Sequence, residues 1–96
     1  MFEIGSDKWP GISKLVEECG EVTQVCGKLM GTHGEVEHWD GTNLRERLMM
    51  ELGDLWAALT FVQQHCVLDA KQIELRAKRK LQLFETWHEK VQAEKP

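Results

Sequence analysis

The chain has 96 residues, of which 42% are hydrophobic and 29% are charged, and its formal net charge is −4 at pH 7. This length limits the chain to one domain over residues 1–96, and the composition is too apolar for a disordered protein. The acidic charge argues against polymeric nucleic acid as a partner, no apolar run is long enough to span a membrane, and the N-terminus lacks the basic-then-apolar order of a signal peptide. We therefore expect a folded cytoplasmic protein, and so short a chain favours self-association.

The apolar periodicity predicts three helices, over about residues 11–30, 43–66 and 70–91. Pro10 and Gly31 mark the two ends of the first helix, and Thr42 or Asn43 can cap the second. Asp69 is the expected N-cap of the third. Because no alternating β-branched run lies between turn residues, the predicted fold class is all-α, with three helices in the protomer.

Each predicted helix has an apolar stripe that we expect to be buried. In the first helix the stripe consists of Ile12, Leu15, Val16, Cys19, Val22, Cys26, Leu29 and Met30. In the second helix it consists of Leu44, Leu48, Met49, Leu52, Leu55, Trp56, Leu59 and Val62, and in the third of Ile73, Ala77, Leu81, Phe84, Trp87 and Val91. The stripes predict that Trp56 and Trp87 belong to the core and that the three cysteines are reduced, buried thiols.

The connection between the first two helices, residues 31–43, contains three glycines, two histidines and a tryptophan. A helix–helix connection in a small domain usually has about two to eight residues, so this loop is long. Long loops in compact domains often carry function, and the 31–43 loop is a candidate of that kind.

Four acidic residues border the apolar stripes of the first two helices. On a helical wheel Glu18 and Glu21 lie at the edge of the first stripe, and Glu51 and Asp54 lie in the same phase on the second. If the helices pack antiparallel, the four carboxylates converge, and the crowding of their charges calls for bound cations. An all-oxygen ligand set suits Mg²⁺, with Mn²⁺ as an alternative, and Mg²⁺ often takes further ligands from substrate phosphates. The alternative is that these acids form ordinary solvated helix faces.

The segments KLVEECGEV, residues 14–22, and ELGDLWAAL, residues 51–59, resemble the paired signature of the MazG-like family of all-α nucleotide pyrophosphohydrolases. The resemblance covers about residues 12–88, and its E-E-x-x-E and E-x-x-D motifs are matched by Glu17, Glu18, Glu21, Glu51 and Asp54. It implies Mg²⁺-dependent cleavage of a ribo- or deoxyribonucleoside triphosphate between its α and β phosphates. The expected products are the monophosphate and pyrophosphate. The resemblance also implies that the three-helix protomer forms a helical bundle on oligomerisation, as a homodimer or a tetramer.

With this resemblance, further residues become candidates for roles at the site. Glu17, next to the predicted ligands Glu18, Glu21, Glu51 and Asp54, is a candidate for assisting the attacking water or contacting a second metal. Six residues are expected to contact substrate phosphates or the base: Lys14, Lys78, Lys80, Trp9, Trp39 and His33. Each has a simpler alternative, which is a solvated charge, a core-edge lysine, an interface indole or a solvated loop histidine.

Two other functions fit parts of the sequence. A carboxylate-bridged di-iron bundle uses E-x-x-H motifs, which occur here as Glu85 to His88 on a predicted helix and as Glu35 to His38 in the loop. A non-catalytic helical dimerisation module would use its acids only for solubility. Iron-dependent absorption would identify the first, and thermal stability indifferent to metal would identify the second.

Overall fold

The computed structural model describes residues 8–96 as three helices, α1 (Ile12–Gly31), α2 (Leu44–His65) and α3 (Ala70–Glu94). Within that range the extended structure is limited to one isolated antiparallel bridge between Glu37 and Asn43, which confirms the all-α prediction. None of the helices in residues 8–96 is long and apolar enough to cross a membrane. Residues 1–7, which include most of the segment judged not to be a signal peptide, lie outside the described residues.

Of the two residues predicted as possible N-caps of α2, Asn43 is the one that caps it, and the predicted N-cap of α3, Asp69, is confirmed. The Asn43 side-chain oxygen accepts a hydrogen bond from the Glu46 backbone N–H at 3.0 Å. The Asp69 carboxylate accepts from the backbone N–H groups of Lys71 at 2.9 Å and Gln72 at 3.3 Å. Each cap supplies partners for backbone donors that the first helical turn leaves unpaired, so these two helix starts are specified locally.

The end of α1 differs slightly from the prediction. The helix includes Gly31, and the turn out of it is made by His33 and Gly34, with φ of 55° and 85°. The Gly34 N–H donates to the Leu29 carbonyl at 2.8 Å, which closes the last turn in the manner of a Schellman motif. The left-handed position therefore lies beyond the glycine that the sequence indicated as the stop.

The helices α1 and α2 form an antiparallel hairpin. The Cys66 thiol, just past the end of α2, lies 3.5 Å from the carbonyl of Pro10, just before α1. At the other end of the hairpin, Arg47 near the start of α2 reaches Glu21 of α1. The core between the helices contains four buried apolar side chains, Val25, Leu44, Ala58 and Val62.

The helix α3 does not pack on this hairpin. None of its residues 70–94 is buried against the rest of residues 8–96, and Trp87, predicted to be core, is 52% exposed. The Cα atoms span 53 × 36 × 15 Å, and because α3 covers neither α1 nor α2, the hairpin is a single layer of two helices. A single layer of amphipathic helices leaves apolar faces uncovered, and stable domains cover such faces with a second layer.

The apolar stripes of α1 and α2 are each divided into two parts. On each helix, the apolar residues that lie closest in angle to Glu18 or Glu51 pack between the helices. The other apolar residues lie about a quarter turn further around the helix axis, in the same rotational sense on both helices. Since the helices are antiparallel, equal rotation leads to the same side of the hairpin. We call that side the apolar face: Ile12, Val16, Cys19, Cys26 and Met30 of α1 and Met49, Leu52, Trp56 and Leu59 of α2, all exposed.

Several burial predictions are therefore wrong for the protomer. Cys19 and Cys26 are free thiols, as expected of reduced cysteines, but they are exposed rather than buried. Trp56, also expected in the core, is 76% exposed. The reason is geometric: the hairpin contact covers only about a quarter of each helix, and these side chains lie in the outer part of their stripes.

Candidate metal centre

Three of the four predicted metal ligands come together between α1 and α2. Carboxylate oxygens of Glu18, Glu51 and Asp54 lie within 4.8 Å of one another. Glu18 comes from the middle of α1, while Glu51 and Asp54 lie on one edge of α2 because they are three residues apart. Two helices therefore supply the cluster, and its position is fixed by the packing of the hairpin.

Two of the three carboxylates are buried, and each has a basic partner. Glu18 is 8% exposed, and one of its oxygens lies 3.6 Å from the Lys14 ammonium one turn earlier. Glu51 is 7% exposed and accepts a hydrogen bond from the Arg47 guanidinium Nε at 2.8 Å. Burying a carboxylate without a partner is costly, so these two cations are part of what allows the cluster to form.

The two remaining acids of the E-E-x-x-E motif lie outside the group of three. Glu17 accepts a hydrogen bond from Lys14 at 3.1 Å, and that bond and charge raise the pKa of the Lys14 ammonium. A Glu21 oxygen lies 3.9 Å from the Arg47 guanidinium Nη2. The pKa of Arg47 is raised as well, first by the hydrogen bond and charge of Glu51 and to a lesser extent by Glu21.

Five carboxylates thus surround two basic side chains, so three negative charges are left uncompensated. Within residues 8–96, Asp54 has neither an ion pair nor a side-chain hydrogen bond, and it is exposed. All the donors are hard carboxylate oxygens, which is the ligand chemistry of Mg²⁺ or Mn²⁺ and not that of thiolate- or imidazole-bound metals. The donor set therefore fits the metal that the sequence predicted.

A cavity of about 290 Å³ opens beside the cluster. Its polar lining includes Lys14, Glu18 and Asp54, and its apolar lining includes Ala57 and Phe61. Pockets for small molecules usually have volumes of about 300–1,000 Å³, so one protomer supplies a space at the lower limit of that range. It combines a cation, carboxylates and an aromatic surface.

Gly11 lines this cavity and lies close to the Phe61 ring. Its φ is +86°, in the left-handed region that side chains rarely adopt, and a Cβ placed there would lie 2.5 Å from Cδ1 of Phe61. The aromatic ring also stacks on His65 with a centroid separation of 4.1 Å. The chain can approach Phe61 this closely only because position 11 has no side chain.

The residues predicted to bind substrate are spread over the chain. Lys14 lines the cavity, whereas Lys78 and Lys80 lie on α3, fully exposed and away from it. Trp9, 50% exposed just before α1, is not among the residues that line it. Lys78 instead pairs with Glu74 at 3.6 Å. Within one protomer, of these four residues only Lys14 stands beside the carboxylates.

His33 and Trp39 belong to the loop at the opposite end of the hairpin from the cavity. Trp39 is 89% exposed, and its ring is tilted against that of His38. The loop is ordered by its own hydrogen bonds, among them one from the Thr42 N–H to Asp40 at 2.9 Å. Hydrogen bonds from Thr42, first from its side chain and then from its backbone N–H, lower the pKa of Asp40 to about 2. Loop contacts to substrate remain a prediction for which the protomer offers no support.

Two residues of the site were not identified from the sequence. Arg47 lies four residues before Glu51, and this spacing on one helix is the signal that pairs its side chain with that acid. Phe61 lies seven residues after Asp54, two turns along the same edge of α2, and it supplies the aromatic wall that the sequence predicts from tryptophans. Both signals are periodic and were present in the sequence.

The cluster of acids is the main feature by which function can be judged, because comparison with known proteins adds nothing. No protein family model, no curated protein and no solved structure matches this chain.

Proposed function

We propose that this protein is a Mg²⁺-dependent nucleoside triphosphate pyrophosphohydrolase. The observation that carries the proposal is the convergence of Glu18, Glu51 and Asp54 from two helices beside a cavity that also presents Lys14. Net negative charge at such a cluster favours a divalent cation, and a divalent cation beside a lysine favours a phosphate chain. Phe61 offers a flat apolar surface of the kind that a nucleobase requires. The proposed location is the cytoplasm, where nucleotides and reduced thiols are both found.

The side chains would divide the work as follows. Glu18, Glu51 and Asp54 would hold the ion, which when bound would neutralise phosphate charge and lower the pKa of a coordinated water. Lys14 would bind the phosphate chain through its ammonium group. Glu17 is hydrogen-bonded to that ammonium at 3.1 Å and would orient it, so we assign Glu17 a positioning role. Water would attack one of the two phosphorus atoms joined by the α–β bridging oxygen and would lose a proton to solvent. The bond from that phosphorus to the bridging oxygen would break, and the products would be the monophosphate and pyrophosphate.

We further propose that the active species is a homodimer or a tetramer. The helix α3 leaves the α1–α2 hairpin uncovered, and the apolar face is exposed along both α1 and α2. Soluble monomers rarely expose contiguous apolar patches larger than a few hundred Å². A second copy would cover this face, complete a helical bundle, and could bring the basic residues of its α3, including Lys78 and Lys80, toward a neighbouring site.

A non-catalytic dimerisation module is the second candidate, and the exposed apolar face favours it independently of the acids. The di-iron alternative receives no support of this kind. Within residues 8–96, neither Glu85 and His88 nor Glu35 and His38 belong to a group of side chains close enough to share a metal ion.

The deciding experiment is incubation of the purified protein and Mg²⁺ with each common ribo- and deoxyribonucleoside triphosphate. We expect pyrophosphate and the monophosphate as products, and orthophosphate alone would refute the assigned bond cleavage. The matched pair is Asp54→Asn, which removes an exposed carboxylate of the cluster, and Glu89→Gln, which removes an exposed carboxylate of α3. Activity should be lost only in the first. A dimerisation module without activity would show no pyrophosphate and a thermal stability indifferent to Mg²⁺.

A further inference from the structure

The position of Arg47 limits the number of metal ions that the acidic cluster can take. Its guanidinium lies between two acids that come from different helices, 2.8 Å from Glu51 of α2 and 3.9 Å from Glu21 of α1. Glu21 has no other ion-pair partner within the described part of the chain. The guanidinium thus already provides positive charge at the place where a second ion would have to bridge these two helices.

The geometry divides the four predicted ligands into unequal groups. Glu18, Glu51 and Asp54 share a space in which their oxygens approach within 4.8 Å, and Glu21 is not part of it. Arg47 engages one oxygen of Glu51, Oε1, through Nε. Within the described residues, no ion pair or hydrogen bond engages the other oxygen of that carboxylate, Oε2, so it is free to bind an ion. Guanidinium is planar, permanently charged and suited to partly buried carboxylates, so it serves as a fixed cation in the way a bound ion would.

We propose that Arg47 replaces a second metal ion, so that each protomer binds one divalent cation through Glu18, Glu51 and Asp54, with Glu21 serving as a partner of Arg47 rather than as a ligand. The binding of one cation per protomer rests on the proposed metal-dependent function, and it makes that function more specific. Arg47 is a positioning residue under this scheme, because it holds Glu51 and Glu21 and does not touch the reacting phosphate.

The test counts ions without substrate. Mn²⁺ alone is titrated into the full-length chain, and free aqueous Mn²⁺ is followed by electron paramagnetic resonance. We expect one Mn²⁺ per protomer in the natural protein and in Arg47→Lys, which keeps the charge. In Arg47→Gln the fixed charge is lost, Glu21 and Glu51 are left unpaired, and we expect a second Mn²⁺.

The matched comparison is Glu21→Gln against Asp54→Asn. If Glu21 is not a ligand, Glu21→Gln changes Mn²⁺ affinity by less than about five-fold, as for other partly exposed ion pairs. Asp54→Asn removes a ligand and weakens binding by more than about ten-fold. Glu21→Gln shows whether Glu21 is a metal ligand even if Arg47→Gln fails to fold. The Glu21 side chain is 40% exposed, so this substitution leaves the core intact.

Three results would overturn the inference while leaving a metal-dependent enzyme in place: two Mn²⁺ ions per protomer in the natural protein, a loss of affinity in Glu21→Gln comparable to that in Asp54→Asn, or a single ion in folded Arg47→Gln. Absence of Mn²⁺ binding in the natural protein would instead refute both the inference and the proposed function.

Discussion

The two faces of the α1–α2 hairpin differ in what they lack. The acidic face, which carries Glu21, Asp54 and the cavity, has three more negative charges than its two cations compensate. The apolar face has no charge imbalance to correct but leaves Trp56 and its neighbours exposed to water. The first face favours a cation and the second an apolar surface, so the proposed ligand site and the proposed association surface lie on opposite sides of one hairpin.

The largest effect should come from breaking the acidic face alone. Asp54→Asn removes one of three converging carboxylates, and we expect hydrolysis to fall by about 100-fold or more, the scale on which loss of a preorganised charge contact reduces turnover. Steady-state assays of pyrophosphate release provide the measurement. Because Asp54 is exposed, the helix content and the oligomeric state should remain those of the natural protein. A variant that lost its assembly together with its activity would show that the two faces are not independent.

Breaking the apolar face should have the complementary effect. Trp56→Glu introduces a charge where a second copy would bury an indole. We expect the dissociation constant of the oligomer to rise by about 30-fold or more, since buried aromatic anchors contribute about 2 kcal/mol or more to an interface. Sedimentation equilibrium would measure the change. Trp39→Glu is the control, because this loop tryptophan is 89% exposed and lies outside both faces. Equal weakening by both substitutions would argue against the apolar face as the contact surface.

The cavity on the acidic face can be closed from within the protomer. Gly11→Ala forces a side chain into a left-handed conformation and against the Phe61 ring, and we expect unfolding free energy to drop by about 2 kcal/mol. Denaturant unfolding would quantify it. Gly20→Ala is the matched control: this helical glycine has nothing within 4 Å of an added Cβ. Alanine there should raise stability by about 0.5–1 kcal/mol. Destabilisation of similar size in both would mean that Phe61 does not constrain position 11.

The smallest effect concerns the corner that leads from the hairpin into α3. Val67 has φ of 53°, a strained conformation for a β-branched residue, and its side chain is 88% exposed. Val67→Gly relieves that strain at the cost of greater chain entropy when unfolded, so we expect a net gain of about 1 kcal/mol. Thermal unfolding would detect the shift. Val67→Ala keeps a side chain at the positive φ, so its stability should rise much less than that of Val67→Gly. A larger rise in Val67→Ala would show that the strain at this φ is not the cause.

The secondary structure and the phase of the acids could be predicted well from the sequence. The periodicity predicts helix bounds within about three residues of those observed. The cap at Asp69 and one of the two candidates for α2, Asn43, are confirmed because capping depends on groups only two or three residues apart. Glu18, Glu51 and Asp54 were placed on the inner edges of their helices by the same periodicity. These are local properties of a chain with about 3.6 residues per turn.

What the chain determines locally is therefore the set of helices and the edge of each that carries its acids. Only the tertiary structure decided which part of each apolar stripe meets the other helix, and Cys19 and Trp56 lie outside that contact. The tertiary structure also decided that Arg47 reaches across the hairpin to Glu21, which is separate from the other acids. The reason is that contact between helices depends on the angle and register at which two surfaces meet, and those are set by residues distant in sequence.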